Sequence, residues 1–343
     1  MPVAPWAKRA THCRVDRLTG FMRRVLVLGG TGWLGREIAQ RAVAEGAEVT
    51  CLARGDSGSV PDGAHLVRSD RLSAHAYDGV IGEWDDVIEL SHDPRFVGPA
   101  LDALASRAAH WTLVSSVSVY SRNDEPDADE SAAVVEPRDT SAYADAKVAA
   151  ERSSLEHLGD RLLVARPGLT VGPGDPSDRF GYWPARFSRS GPVLAPTSAD
   201  RFVQAIDVSD LAAWIERAGR DRLSGAVNAV GEVIPLAAFL HAAAEVAGYD
   251  GEVVELSDEA LLAHDVNYWA GPRSLPLWLP LSDAAFAQRS GAAYLASGGI
   301  RRSLHETLSR VHADELARGI DRERRSGLGT GDERAILVAR RLL

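Results

Sequence analysis

Tyr143 and Lys147 stand four residues apart in Tyr143-Ala144-Asp145-Ala146-Lys147, a spacing that puts both on one face of a helix. A phenol titrates at about 10 and is a poor acid or base at neutral pH unless its phenolate is stabilised. An ammonium one helical turn away does that. Upstream, Val114-Ser115-Ser116-Val117-Ser118-Val119-Tyr120 places three hydroxyls at the end of an apolar run. A serine there can hold a carbonyl or alcohol oxygen while Tyr143 moves its proton, or it can simply satisfy backbone groups. A Tyr four before a Lys is common by chance; its place one loop after the fifth apolar run is what gives it weight.

A second group surrounds the run Val25-Leu26-Val27-Leu28, which passes into Gly29-Gly30-Thr31-Gly32-Trp33-Leu34-Gly35. Strand, tight turn and helix start follow in that order. Gly29 and Gly32 then let the backbone approach a pyrophosphate, and Gly35 lets the helix pack on the strand. The helix N-terminus supplies N–H groups and partial positive charge. Gly29, Thr31, Gly32, Trp33, Leu34 and Gly35 are therefore expected to contact a dinucleotide. An NAD enzyme places Asp or Glu at the end of the second strand, about 20 residues further on, to hold the ribose 2′-hydroxyl. Here Leu52-Ala53-Arg54-Gly55 puts Ala53 in that place, with Arg54 after it. A small uncharged side chain and a guanidinium suit a 2′-phosphate. The expected cofactor is NADP, with NAD the alternative. Asp70, after the third strand, is an adenine contact or a helix cap. The positive ring of an oxidised nicotinamide would join Lys147 in stabilising the Tyr143 phenolate.

These groups need a scaffold. Apolar runs at 24–28, 48–53, 64–67, 86–90, 111–115 and 161–165 read as buried parallel strands, with helical spacing at 33–44 and 97–107. The expected fold class is α/β, a doubly wound parallel Rossmann sheet with a smaller, mostly helical C-terminal lobe. Segment 122–140 is acidic and carries Pro126 and Pro137, and 172–199 is dense in Gly, Pro and Ser. Both are expected to be functional loops. A strand at 202–206 and a helix at 209–218 follow, and the tail 301–343 is helical and charged. The expected domains are a leader at 1–22, a dinucleotide-binding domain at 23–172 completed by about 202–230, and a second lobe from 173–201 and 231–343.

Composition narrows the function classes. The net charge of −10 over 343 residues argues against a nucleic-acid surface. The two cysteines, Cys13 and Cys51, are too few for a disulfide framework and imply a reduced, cytoplasmic setting. No apolar stretch approaches the ~20 residues of a membrane span, and no Cys/His cluster has metal-ligand spacing. The first 21 residues are basic without the apolar core of a secretory signal. A leader, or a start at Met22, is expected over a transit peptide.

Taken together these motifs resemble the extended short-chain dehydrogenase/reductase family, the nucleotide-sugar epimerase and dehydratase group. The similarity covers about 24–229 well and the helical tail more loosely. Gly29-x-x-Gly32-x-x-Gly35 matches the family's glycine motif, and Tyr143 with Lys147 its Tyr-x-x-x-Lys. The resemblance selects Ser116, four residues before the Tyr of Val119-Tyr120, as the catalytic hydroxyl. It gives Lys147 the nicotinamide ribose as a second task. It sets Leu90, in Leu90-Ser91-His92 where the family has Leu-Ala-Ala, and Pro167, in Arg166-Pro167, beside the cofactor. Substrate would bind in the second lobe, which begins at the loop 180–187, so Trp183 and Phe187 are candidates to line its site. A homodimer through the helix from 97 and the one carrying Tyr143 is also implied. His92 faces either the active site or solvent.

Two departures from the family sharpen its implied activity. Sugar-nucleotide 4,6-dehydratases carry Asp-Glu directly after the catalytic hydroxyl residue, and Val117 and Ser118 stand there instead. Epimerases that keep and recycle NAD favour an acidic residue where Ala53 stands. The implied activity is an NADP(H)-dependent oxidoreductase transferring hydride between the nicotinamide and a carbonyl or secondary alcohol of a small molecule. The alternatives are a nucleotide-sugar epimerase and a non-catalytic NADP-sensing or RNA-binding protein. Intact Tyr143 and Lys147, and the acidic balance, weigh against the last.

Overall fold

The computed structural model describes residues 22–340, and the basic leader with Cys13 lies outside them. The first elements in chain order are β1 (Arg24–Leu28), α1 (Trp33–Ala44), β2 (Glu48–Ala53), β3 (Ala64–Arg68), β4 (Asp86–Glu89) and α2 (Pro94–Leu104). Then come β5 (Trp111–Val114), α3 (Tyr143–Leu158), β6 (Leu162–Pro167), β7 (Leu169–Val171), α4 (Tyr182–Phe187), β8 (Val193–Pro196) and β9 (Phe202–Asp207). After them run α5 (Val208–Arg220), β10 (Gly225–Ala229), β11 (Val233–Pro235), α6 (Leu236–Ala247) and β12 (Val253–Leu256). The chain ends through α7 (Asp258–Ala263), β13 (Asn267–Trp269), β14 (Ser274–Pro276), α8 (Ala292–Ala296), α9 (Leu304–Arg318) and α10 (Thr330–Arg340).

Seven strands form one sheet in the order β10-β6-β5-β4-β1-β2-β3, and every neighbouring pair is parallel. The chain runs outward from β1 to β3, returns to β4, and then proceeds the other way. That reversal between β1 and β4 opens a crevice beyond the strand ends, where open α/β sheets bind ligands. The doubly wound Rossmann fold expected from the apolar runs is the fold observed. Residues of β4, β5 and β6 are buried throughout, as a sheet covered on both faces requires. Three of them are charged, and each has a partner: Asp86 with His110, Glu89 with Arg71, and Arg166 with Glu151. α1 buries Gly35, Ile38, Ala39 and Ala42 along one stripe. A core of Leu26, Leu28, Val87, Leu101, Trp111 and Leu158 packs the sheet against α2 and α3.

The chain divides into two compact units. One holds the residues up to Thr170, Val208–Gly231 and Arg289–Arg301; the other holds Val171–Asp207, Glu232–Gln288 and the chain from Arg302 on. Two stretches fall differently from the sequence expectation. The strand near 202 does not join the Rossmann sheet, because β9 pairs antiparallel with β11 and β10 completes the sheet on β6. Segment 289–301 belongs to the first unit, where Ser297 Oγ accepts the Trp214 indole N–H at 3.0 Å and Arg301 reaches the Val230 carbonyl at 2.9 Å.

Segment 172–199 is not one loop. It carries α4, whose Pro184 falls in the first turn where proline is tolerated, and β8, which pairs parallel with β12. Trp183 and Phe187 do not line an open site: they are 0% and 2% exposed, and the Trp183 indole donates to the Pro276 carbonyl at 2.8 Å. They are core of the second unit. The helical tail is broken between α9 and α10.

Candidate active site

β1 stops at Leu28, and Gly29 turns the chain at a φ of +99°, a conformation glycine takes without strain. The Gly29 carbonyl accepts the Gly32 N–H at 3.0 Å. A Cβ on Gly35 would lie 2.4 Å from that carbonyl oxygen and 2.7 Å from Leu90 Cδ1, so α1 begins hard against the turn. No side chain caps α1 at Gly32, and its first turn holds no acidic residue. An anion suits such a helix end. Beside it lies a cavity of about 280 Å³ lined by Gly29, Thr31, Gly32, Arg54, Asp70 and Leu90 among others. Gly35 supports the turn from behind. Trp33 and Leu34 are half-buried at the start of α1, and Pro167 is buried at the end of β6; none of the three lines this cavity. The cradle fits a dinucleotide.

Beside Gly55, which lines the cavity, lies a residue that spacing alone did not single out. Arg54 is exposed after β2, with its Nε 3.2 Å from the Asp56 carboxylate. Register pairs Ala53 with Arg68, the last residue of β3. Arg68 Nη1 donates to the Arg54 carbonyl at 3.1 Å, and its guanidinium covers Gly55, where a Cβ would meet Nη1 at 2.2 Å. A basic residue ending the third apolar run was the available signal. Asp70 Oδ1 accepts the Leu72 N–H at 3.0 Å, so one of its oxygens serves the local turn.

Glu89, the last residue of β4, is a second residue that spacing does not single out. It is fully buried and engages Arg71 through both carboxylate oxygens, and it accepts the Ser91 N–H at 2.7 Å. Arg71 lines the cavity and also donates to the Phe96 carbonyl at 3.0 Å. An acid inside an apolar run needs such a partner, and that need was the signal.

Tyr143 and Lys147 occupy the first turns of α3. Lys147 is 3% exposed, and its Nζ donates to the Val114 carbonyl at 2.6 Å. Burial pushes the Lys147 amine down to about 8, opposed by the charges of Glu89 and Glu151. Nζ lies 5.7 Å from the Tyr143 ring centroid, and Tyr143 itself is half-exposed. His92 meets the Tyr143 ring edge-on, with centroids 4.9 Å apart and planes at 74°. Ser116 Oγ accepts the Ser118 N–H at 3.1 Å and donates to Ser118 Oγ at 3.1 Å. Ser115 is engaged elsewhere, donating to Glu151. Ser116 follows by two residues the carbonyl that Lys147 holds. One further sequence signal stands out in this light: Lys8 and Lys147 are the only lysines among 38 basic side chains. A cation that must titrate near neutrality inside a protein cannot be arginine.

The glycine cradle at the switch point and the Tyr143–Lys147 pair both fall within the stretch 25–231, which matches the model of the NAD dependent epimerase/dehydratase family. The chain belongs to that family. It is an NAD(P)-dependent enzyme of the epimerase/dehydratase type. No curated protein compared with it matches. Similar solved structures include a candidate epimerase from Burkholderia cenocepacia J2315, at 22% identity and a TM-score of 0.67, over 86% of this chain and 98% of that one. RMD from Pseudomonas aeruginosa, complexed with NADPH, is similar at 21% identity and a TM-score of 0.60, over 86% and 100%. UDP-glucuronic acid 4-epimerase from Bacillus cereus, in complex with NAD, is similar at 12% and 0.64, over 86% and 99%. These structures share the fold.

In this member of the epimerase/dehydratase family the site is braced from behind. Glu151, one turn beyond Lys147, takes Arg166 Nε at 3.0 Å and Nη2 at 2.7 Å. Arg166 donates onward to the Tyr120 hydroxyl at 3.1 Å, and that hydroxyl donates to Asn228 Oδ1 at 2.6 Å. Four elements, α3, β5's end, β6 and β10, are thus tied into one buried polar network. The acidic loop 122–140 is held to it, because Glu130 accepts the Asn228 N–H at 2.7 Å and Arg289 donates to Asn123 Oδ1 at 2.7 Å. Among the described residues no group of His, Cys, Asp and Glu side chains could hold a metal, and no helix is long and apolar enough to cross a membrane.

Proposed function

We propose that the chain is an NADP(H)-dependent reductase acting on a carbonyl, or in reverse a secondary alcohol, of a small molecule. The observation that carries this is the ribose end of the cavity. Where an NAD enzyme has a carboxylate stands uncharged Ala53, followed by Arg54 on the cavity wall, with Arg68 in register beside Ala53 and donating to the Arg54 carbonyl. The Arg54–Asp56 pair is exposed on both sides and screened by solvent, so a phosphate competes with it readily. One similar structure is complexed with NADPH and another with NAD, so the choice rests on these side chains. NADP suits a reductant exchanged at each turnover.

When bound, the cofactor supplies or accepts the hydride. Ser116 holds the substrate oxygen, and Tyr143 donates its phenolic proton to that oxygen in reduction and takes it back in oxidation. The Lys147 ammonium stabilises the phenolate left behind. Ser118 offers a hydroxyl rather than a carboxylate beside Ser116, which leaves water elimination without the Asp-Glu acid and base of the dehydratases.

Titrating the purified protein with NADPH and NADH by nucleotide fluorescence, and screening carbonyl compounds by absorbance at 340 nm, tests the proposal. NADPH is expected to bind tighter. Arg54→Ser and Arg68→Ser are each expected to weaken NADPH by roughly 10- to 100-fold, the worth of a charge-assisted hydrogen bond, with NADH unchanged. Tightly retained NAD after purification would instead favour the epimerase.

The depressed Lys147 amine gives a pH signature with two opposite signs. Its ammonium is lost as pH rises through about 8, so kcat/KM is expected to fall above that pH. The buried charge disfavours the folded state, because the folded pKa lies below the unfolded value. Its penalty is relieved as pH climbs from about 8 towards the ordinary lysine range, so the Lys147 contribution to stability rises there. Lysine 13Cε NMR is unusually direct here, since Lys8 and Lys147 are the only two signals. A Lys147 resonance that titrates only in the ordinary lysine range would contradict this assignment.

A further inference from the structure

Loop 90–93 joins β4 to α2, and its backbone is fixed on both sides of His92. The Ser91 N–H is held by the buried Glu89 carboxylate at 2.7 Å, and the Asp93 N–H donates to Ser91 Oγ at 3.2 Å. Asp93 in turn caps α2 by accepting the Arg95 N–H at 2.9 Å. The half-buried imidazole that this loop presents meets the Tyr143 ring edge-on at 4.9 Å. Lys147 approaches the same ring, at 5.7 Å. Tyr143 is the first residue of α3, and about half of its surface is open. Its ring therefore takes its orientation in part from a side chain on another element.

We infer that His92 is a positioning residue for Tyr143, its neutral imidazole holding the phenol ring over Lys147 through their T-shaped contact, and that protonating His92 disables the site in acid. An edge-to-face contact of this geometry is favourable for a neutral ring. An imidazolium would add a second positive charge to a site that already buries the Lys147 ammonium. The groups that act on His92 support the neutral form. Burial and the Lys147 charge push its pKa below the usual value, while Asp93, half-buried on the same loop, pulls the other way. Glu89, behind the loop, is already paired with Arg71.

The inference rests on Tyr143 being the proton-transfer group, and its test is separable from that reading because the first measurement uses no substrate. Protein labelled with 13Cε-lysine, carrying Lys8→Arg to leave one signal, is titrated from acid to alkaline pH. Beyond the main step near 8, Lys147 is expected to show a smaller inflection on the acid side of the usual imidazole range, absent in His92→Phe. No acid inflection in the wild-type chain, or its persistence in His92→Phe, overturns the inference. The second measurement is turnover of whichever carbonyl the NADPH screen identifies. His92→Ala is expected to lower kcat about tenfold with KM little changed. His92→Phe, which keeps an aromatic ring in place, is expected to restore kcat near neutrality and to remove the acid limb of the pH profile. Equal loss of kcat in the Ala and Phe variants would show that the imidazole itself does chemistry and that positioning is not its role. A chain with the NMR signature but no carbonyl turnover would sink the reductase proposal and leave the His92 assignment standing.

Discussion

Tyr143→Phe is expected to lower kcat by about 10²- to 10⁴-fold, the usual worth of a positioned general acid or base, and to leave NADPH affinity and thermal stability nearly unchanged. The substitution keeps the ring, so the edge contact with His92 and the approach of Lys147 both survive. Only the O–H is removed, from a residue that is half-exposed and begins its helix. Lys147→Met is expected to produce a comparable loss, because it fills the same buried slot without the charge that stabilises the phenolate. The two effects should not add. Lys147 acts through the Tyr143 oxygen, so the double variant is expected to be no slower than Tyr143→Phe alone. Measured kcat values for the two single variants and the double decide the matter. Additive losses in kcat would mean that Lys147 also serves the reaction apart from Tyr143, as its implied contact with the nicotinamide ribose would, and full activity in Tyr143→Phe would remove Tyr143 from the mechanism.

How far such a site can be seen in a sequence depends on whether its parts are local. The turn at Gly29 and the pair Tyr143–Lys147 are local patterns, and both lie where their spacing put them. Arg68 is not local: it meets Arg54 and Gly55 only because parallel register sets it beside Ala53. Glu151 is intermediate, since the spacing from Tyr143 through Lys147 already marks a helix face, but its partner Arg166 sits on a different strand. The stretch 172–199 misled because its Pro and Gly content suits a loop, whereas Pro184 occupies a tolerant helical position and β8 finds its partner in distant β12. Trp183 and Phe187 show the same limit. Aromatic side chains in a chain segment near a binding lobe carry no mark of which way they face, and here they face the core. The orientation of His92 depends on Glu89 and Asp93 pinning its loop, which no periodicity reports.

Glu151→Gln is expected to destabilise the first unit by about 3–5 kcal/mol, the cost of breaking a buried ion pair from one side. The mechanism is specific. Both Glu151 oxygens receive Arg166, and the two side chains are 2% and 1% exposed. Glutamine keeps the shape and one acceptor but removes the charge, leaving the buried guanidinium beside Tyr120 without its paired carboxylate, opposed only by the more distant Glu130. For a unit of this size the thermal midpoint is expected to drop on the order of 10 °C. Replacing the pair together, as Glu151→Leu with Arg166→Met, is expected to recover part of that loss, because no uncompensated charge remains. Recovery stays partial because Ser115 loses its acceptor on Glu151, while Tyr120 keeps its bond to Asn228. The site responds as well. Glu151 is one of the two acids that oppose the burial of Lys147, so the single variant is expected to shift the alkaline limb of kcat/KM to lower pH. A thermal midpoint equal to that of the unsubstituted chain would show that the pair contributes nothing net. An unmoved pH limb would show that Lys147 takes its charge support from Glu89 alone.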